Sequence, residues 1–390
     1  MSDKSLNPST LPALDFARGM MATFVFLSHT AILTGAVGDL RYVFRLGGVA
    51  VEIFMFISGF LMLWHFQLRE TKEPWDKMKT WRAFWVRRFF RMAPLYWILL
   101  VVIFAFHQPL QDFHHKIHET FSLPWAGQEV YPSRIDSNLS AGNVLAHFSF
   151  VFGIIPKWAS NNLLPDWSIT LEMQFYLLFP LLALMMKRVG WIVLTIAVLI
   201  LWQLFASNTG VGLTTNSGPW GWFPMPTILP LRIAVFFSGM LVAWGLARWH
   251  QSGKGLPEML VAVGIGWFSD HLLALFIIGF IAWEFTSRSS RFSQWLPIRM
   301  VQSLFSSRII RLFADASYGI YLCHMLVLLA VMWFLLSNQG FIEYSPIKRF
   351  IIVSALSFPP IFGLSLACHR WIEKPGIELG RKLVNKLPRN

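Results

Sequence analysis

The sequence predicts an all-α integral membrane protein of about ten transmembrane helices with both termini cytoplasmic. Three observations carry that reading. Apolar residues make up 55% of the 390 residues and charged residues only 14%, whereas a soluble domain carries roughly a quarter charged. The mean hydropathy is +0.53. The apolar residues gather into runs of membrane-spanning length, and Lys and Arg concentrate in alternate connections between them. The 36 Phe and 19 Trp suit lipid-facing and interfacial positions. A net charge of +13 could suggest nucleic acid, but its place beside apolar runs assigns it to membrane orientation. No nucleic-acid partner is expected.

Charge, Gly and Pro divide the apolar runs near 14–35, 47–66, 92–107, 168–186, 190–206, 228–247, 256–269, 272–287, 313–336 and 349–371. With 66–91 taken as a cytoplasmic loop, Lys and Arg fall inside at 1–13, 66–91, 187–190, 248–255, 288–311 and 372–390. The outer loops then hold only Arg41, Arg45, Lys116, Arg134, Lys157, Lys348 and Arg349. Residues 143–155 are apolar but short, and read as re-entrant or interfacial. Asp270 and His271 divide 256–287 into two short spans. Asp15 and Arg18 interrupt the first run, which therefore lacks the signal-peptide pattern and is expected to be retained. Cys323 and Cys368 both fall in spans, so a stabilising disulfide outside the membrane is not expected. Residues 1–10 read as a short cytoplasmic tail, 11–376 as one membrane domain and 377–390 as a basic cytoplasmic tail.

Ionisable groups at membrane depth mark candidate sites. In the first span Arg18 and His29 stand eleven residues apart, about three turns and about 16.5 Å along one helix face. Asp15 joins that face one turn earlier. Glu52 is a further intramembrane acid in the second span. Arg87, Arg88 and Arg91 follow that span, the last two on one helical face, and paired guanidiniums suit phosphate groups. Lipid headgroups are the competing partner for them. The run Asp166-Trp167-Ser168 offers a helix start, after which Glu172, Gln174 and Tyr176 enter the membrane. In the ninth span Tyr321 and His324 bring a hydroxyl and a second histidine to depth. His114 and His118 have metal-ligand spacing in a loop, but without a matching Cys or carboxylate set they read as solvated and no metal site is expected.

Taken in order, these motifs resemble those of acyltransferase family 3, the integral membrane acyltransferases. The resemblance rests on Leu14-Asp15…Arg18-Gly19…His29, Val51-Glu52…Ser58-Gly59-Phe60-Leu61 and Arg87-Arg88-Phe89-Phe90-Arg91…Pro94-Leu95-Tyr96-Trp97. It continues through Trp167-Ser168…Glu172…Gln174-Phe175-Tyr176, Ser317-Tyr318-Gly319-Ile320-Tyr321…His324 and Arg370-Trp371-Ile372-Glu373-Lys374-Pro375. It thus covers residues 11–376. Departures are Phe16 where the family usually has Gly, Glu52 where Asp is common, and Cys323 where Trp is common. The resemblance implies a ten-span enzyme of the cytoplasmic (inner) membrane. It would move an acyl group, commonly acetyl from acetyl-CoA, onto hydroxyls of extracytoplasmic glycans, with Arg18 and His29 as its signature pair.

The residues support a mechanism of that kind. Histidine, with an ordinary pKa near 6.5, is suited to take a hydroxyl proton at neutral pH. His29 is the expected base and Glu172 its expected orienting partner; an acyl-histidine intermediate is the variant route. Arg18 would hold phosphates or pantetheine carbonyls of the donor, and Arg87, Arg88 and Arg91 its nucleotide phosphates. Trp167, Ser168, Tyr176, Tyr321, His324 and Glu52 complete the expected substrate or structural site. Acyl-CoA is expected as donor substrate, with no bound cofactor. A multi-pass secondary transporter of a glycan-related solute is the rival class, since it too would carry intramembrane charge.

Overall fold

The computed structural model describes residues 11–123, 139–159, 162–211, 218–289 and 292–386. The expected Arg134 loop and the outermost parts of both termini lie outside them. Among the described residues nine helices are long and apolar enough to cross a membrane, and a shorter apolar helix, Leu256–Ser269, accompanies them. The all-α membrane fold read from the sequence is therefore the fold observed.

Three helices open the chain: α1 (Pro12–Leu33), α2 (Arg41–Arg69) and α3 (Met78–Ala105). Pro12 begins α1 where no backbone donor is needed, and Asp15 sits in its first turn against the positive helix end. The expected 66–91 loop is much shorter. α2 runs on to Arg69 and α3 begins at Met78, so Arg82 to Arg91 are helical. Hydropathy misses this turn-rich entry because charged and aromatic residues alternate there.

A short α4 (His107–Thr120) follows, correcting the expected solvated loop. Gln111, Phe113, Ile117 and His118 recur at helical spacing and are buried, His118 at 7% exposure. Phe113 and Ile117 share an apolar cluster with Phe26 and Leu33 of α1. Residues 143–155 form α5 (Ala141–Phe148) and a turn at Phe152–Ile154. Eight helical residues rise only about 12 Å, too little to span.

The chain then crosses in α6 (Trp167–Arg188), α7 (Trp191–Asn208) and α8 (Ile233–Ser252). α2 and α8 meet at backbone contact. A methyl group on Gly59 would lie 1.9 Å from the Phe236 carbonyl oxygen, and one on Gly239 2.0 Å from that of Phe56. Glycine on both sides is what permits this approach in a membrane.

Asp270 separates α9 (Leu256–Ser269) from α10 (His271–Arg288) and caps α10 by accepting the Leu272 N–H at 2.8 Å. The remaining helices are α11 (Leu296–Phe305), α12 (Arg308–Leu335), α13 (Gln339–Ile342), α14 (Pro346–Cys368) and α15 (Lys374–Asn385), the last two joined by a wider turn at His369–Glu373. Residues expected as a basic tail from 377 thus continue as α15. It packs on α3 through Gly376 and Gly380, both buried against Phe90. The two cysteines are buried thiols.

Candidate active site

Five helices turn their polar residues toward one cavity of about 260 Å³. α1 contributes Asp15 and Arg18; α3, Arg88 and Arg91; α6, Ser168, Glu172 and Tyr176; α12, Ser317, Tyr318 and Tyr321; and α2 lines one wall from Val51 to His65. Helical spacing explains the gathering: Asp15 and Arg18, Arg88 and Arg91, and Ser168, Glu172 and Tyr176 each recur at three or four residues. The structure therefore brings together most of the residues singled out from the sequence.

Glu172 is held by two hydroxyls. Ser58 Oγ donates to its Oε1 at 2.7 Å, and the Tyr176 hydroxyl donates to the same oxygen. The Arg88 guanidinium lies over the rings of Phe84 and Tyr176, 5.7 Å from each centroid. Arg87 instead turns to Glu73, which it meets with both amino groups at 2.8 and 2.7 Å. Arg18 and Arg91 border the cavity without a hydrogen bond or ion pair to any described residue. A carboxylate thus fixed beside uncommitted guanidiniums suits a ligand carrying both negative charge and polar groups.

At the far end of the cavity the Tyr321 hydroxyl donates to the Pro165 carbonyl at 2.6 Å, leaving Ser168 Oγ to donate to the Tyr321 oxygen at 2.7 Å. Phe54 lines the cavity and meets Tyr321 edge-on at 6.0 Å. One turn further along α12 lies His324, its ring 6.5 Å from that of Tyr321 and 4.9 Å from that of His29.

The two histidines form a directed chain. His324 Nδ1 is 2.9 Å from the Ile320 carbonyl oxygen, so it carries the proton and its Nε2 is the acceptor. His29 Nδ1 lies 2.9 Å from the Val25 carbonyl oxygen and 3.2 Å from His324 Nε2. With both neighbours accepting, a His29 protonated at Nδ1 shares that one N–H between the Val25 carbonyl and His324 Nε2. The partner the fold gives His29 is therefore His324, while Glu172, expected to orient it, is engaged by Ser58 and Tyr176. The difference is one of tertiary contact: 295 residues separate His29 from His324.

Other expected residues serve elsewhere. Glu52 lies outside this cavity, where Ser269 Oγ donates to it at 3.0 Å and the Arg232 guanidinium stands 3.8 Å away. Trp167 is half-buried against the apolar core at the start of α6. Gln174 pins the connection before α8, donating to the Thr227 carbonyl and accepting the Leu229 N–H, both at 2.9 Å.

Sequence reasoning missed the support beneath α6. Asp166, 2% exposed, accepts the Tyr96 hydroxyl and the Asn162 amide at 2.8 Å each, with His147 Nε2 at 3.8 Å. Burial pushes the Asp166 carboxyl up, opposed by His147 and by the Asn162 and Tyr96 hydrogen bonds. Its position before Trp167-Ser168 read only as a helix start. Ser58 was also missed as the Glu172 partner; a hydroxyl one helix away leaves no periodic signal. Among the described residues no group of three or more His, Cys, Asp or Glu is placed to hold a metal ion.

A family model described as an acyltransferase domain matches residues 11–368. The chain is also similar to "Acyltransferase MdmB" of Streptomyces mycarofaciens, 26% identical over 280 residues, which are 66% of this chain and 63% of that protein. The match thus spans less than two thirds of that relative's length. No solved structure matches the chain.

Proposed function

The chain belongs to the acyltransferase-domain family that its sequence matches from 11 to 368, and from that premise we propose that it is a membrane O-acyltransferase. In this reading it takes an acyl group, by default acetyl, from an acyl-CoA bound in the arginine-lined cavity and places it on a hydroxyl of an extracytoplasmic glycan. The protein would sit in the cytoplasmic (inner) membrane, with α15 and the arginines facing the donor's side. The observation that carries the reading is the His29–His324 pair, His324 lying one helical turn beyond Tyr321, which lines that cavity.

The residues divide the work as follows. Arg18, Arg88 and Arg91 bind and orient the donor, with Arg87 held by Glu73 at the mouth. The pantetheine arm runs along the cavity, past Phe54 and Tyr321, to bring the thioester carbonyl to His29. The acceptor approaches from the opposite side. As its oxygen attacks the carbonyl, His29 Nε2 takes the hydroxyl proton, and the new imidazolium is stabilised through its Nδ1–H bond to His324 Nε2. The C–S bond breaks as the C–O ester forms, and the proton on His29 passes to the leaving thiolate. Glu172 keeps the α6 wall in register through Ser58 and Tyr176 and supplies the negative charge that balances Arg18. Asp15 plays the same balancing role at the first turn of α1.

Purified protein in detergent, given acetyl-CoA and a hydroxyl acceptor, is expected to release free thiol. The gain in mass on surface glycans of cells that carry the gene, compared with cells that lack it, reports acceptor and acyl group together. Solute movement with no thiol release would favour the transporter class instead.

A further inference from the structure

We infer that the outer mouth of the donor cavity, built by Arg69 at the end of α2 and Arg381 on α15, recognises the 3′-phosphate of a coenzyme A donor. The inference rests on the reading of the inner cavity as a donor site and names a feature of that donor. A second cavity of about 290 Å³ adjoins the first and shares Met62, His65, Arg88 and Arg91 with it. Its lining adds Arg69, Arg87 and Arg381 against one carboxylate, Glu73. Glu73 is already committed to Arg87 through both of its oxygens.

Arg69, Arg88, Arg91 and Arg381 therefore surround this mouth without an ion pair to any described residue. Four like charges around one cavity at a membrane boundary repel one another and draw in a polyanion. The inner cavity has a smaller excess, because Asp15 and Glu172 there stand against its three arginines, Arg18, Arg88 and Arg91. Coenzyme A fits the charge: two negative charges on its diphosphate and about 1.5 to 2 on its 3′-phosphate. The order along the path assigns the phosphates. Arg88 and Arg91 border both cavities and meet the diphosphate, whereas Arg69 and Arg381 border only the outer one and meet the 3′-phosphate.

α15 is built to hold Arg381 there. A methyl group on Gly376 would lie 2.8 Å from the Phe90 carbonyl oxygen, and one on Gly380 2.8 Å from Phe90 Cβ, so two glycines let α15 lie directly on α3. This helix lies beyond residue 368, where the family match ends. Arg69 and Arg381 are themselves exposed, so replacing them leaves the core untouched.

The test compares acetyl-CoA with acetyl-dephospho-CoA, which lacks only the 3′-phosphate, using the full chain in detergent. The parent is expected to prefer acetyl-CoA by about tenfold or more in kcat/KM, and the Arg69→Ala/Arg381→Ala double variant to lose that preference through a higher KM for acetyl-CoA. Arg69→Lys/Arg381→Lys should retain part of it. A second readout needs no turnover: 3′,5′-ADP should raise the thermal midpoint of the parent more than 5′-AMP does, and the difference should vanish in the alanine double variant. Equal use of the two donors by an active parent, or discrimination that survives in the double variant by either readout, overturns the inference alone. A parent that neither turns over acetyl-CoA nor binds 3′,5′-ADP overturns the donor-site reading and this inference with it.

Discussion

At the scale of single residues, the base role proposed for His29 rests on its contacts with the Val25 carbonyl and with His324. In the tautomer protonated at Nδ1, the one N–H of His29 is shared between the Val25 carbonyl and His324 Nε2, and the proposed base is then Nε2. His29→Ala is therefore expected to lower acyl transfer by about 10²–10⁴-fold or more while the protein still purifies as a folded species. Retained turnover, measured as thiol release, would remove His29 from the base role. His324→Ala should cost less and act mainly on kcat, because it removes the group that orients the ring rather than the base itself. Arg88→Ala with Arg91→Ala should instead raise the KM for acyl-CoA, and an unchanged KM would return both arginines to an anchoring role. Much of this site is legible in the sequence. Asp15, Arg18 and His29 declare a common face by spacing, and Ser168, Glu172 and Tyr176 do the same on α6. What spacing cannot state is a partner on another helix: His324 for His29, or Ser58 for Glu172. Those pairings depend on how helices far apart in sequence rotate against each other.

Among the helices, the runs of apolar residues located nearly every span, because length and hydropathy are local properties. The exceptions have local causes too. The first turns of α3 are rich in Arg and Trp and so fall outside any apolar run, though they are continuous with it. α4 is a polar amphipathic helix whose buried face, His107, Gln111 and His118, looks hydrophilic in one dimension. Burial, with His118, His115 and His29 near it, pushes His114 down to about 3. The unfolded chain, with histidine near 6.5, then binds more protons than the folded chain between those values. Stability contributed by this burial is complete above about pH 6.5 and is lost as the pH falls toward 3. A thermal midpoint that drops between pH 7 and pH 5, and drops less in His114→Asn, is the expected signature. The α2–α8 crossing makes a separate prediction. Gly59→Ala places a methyl group against backbone that no rotamer change can relieve, so a loss of about 1–3 kcal/mol in detergent unfolding is expected. Gly48→Ala, where the added group would meet nothing within 4 Å, is the control.

For the molecule as a whole, the helices enclose a path with a sense of direction. Arginines crowd one end, and Phe54 and Tyr321 line the cavity on the side of His324, which lies one turn beyond Tyr321 on α12. The charge asymmetry of the loops is the basis for the expected membrane orientation, whereas the path itself is a product of assembly. α15 completes its mouth from a segment that reads as a basic tail until it is seen against α3. We propose that thioester chemistry, not solute passage, takes place on this path and runs through His29. The most direct test of this proposal is thiol release from acetyl-CoA by the purified protein in detergent, followed with and without a hydroxyl acceptor and repeated with His29→Ala. Acceptor-dependent release that disappears in the variant is the predicted result. Equal release by the parent and His29→Ala, or none from the parent with any hydroxyl acceptor, would contradict it.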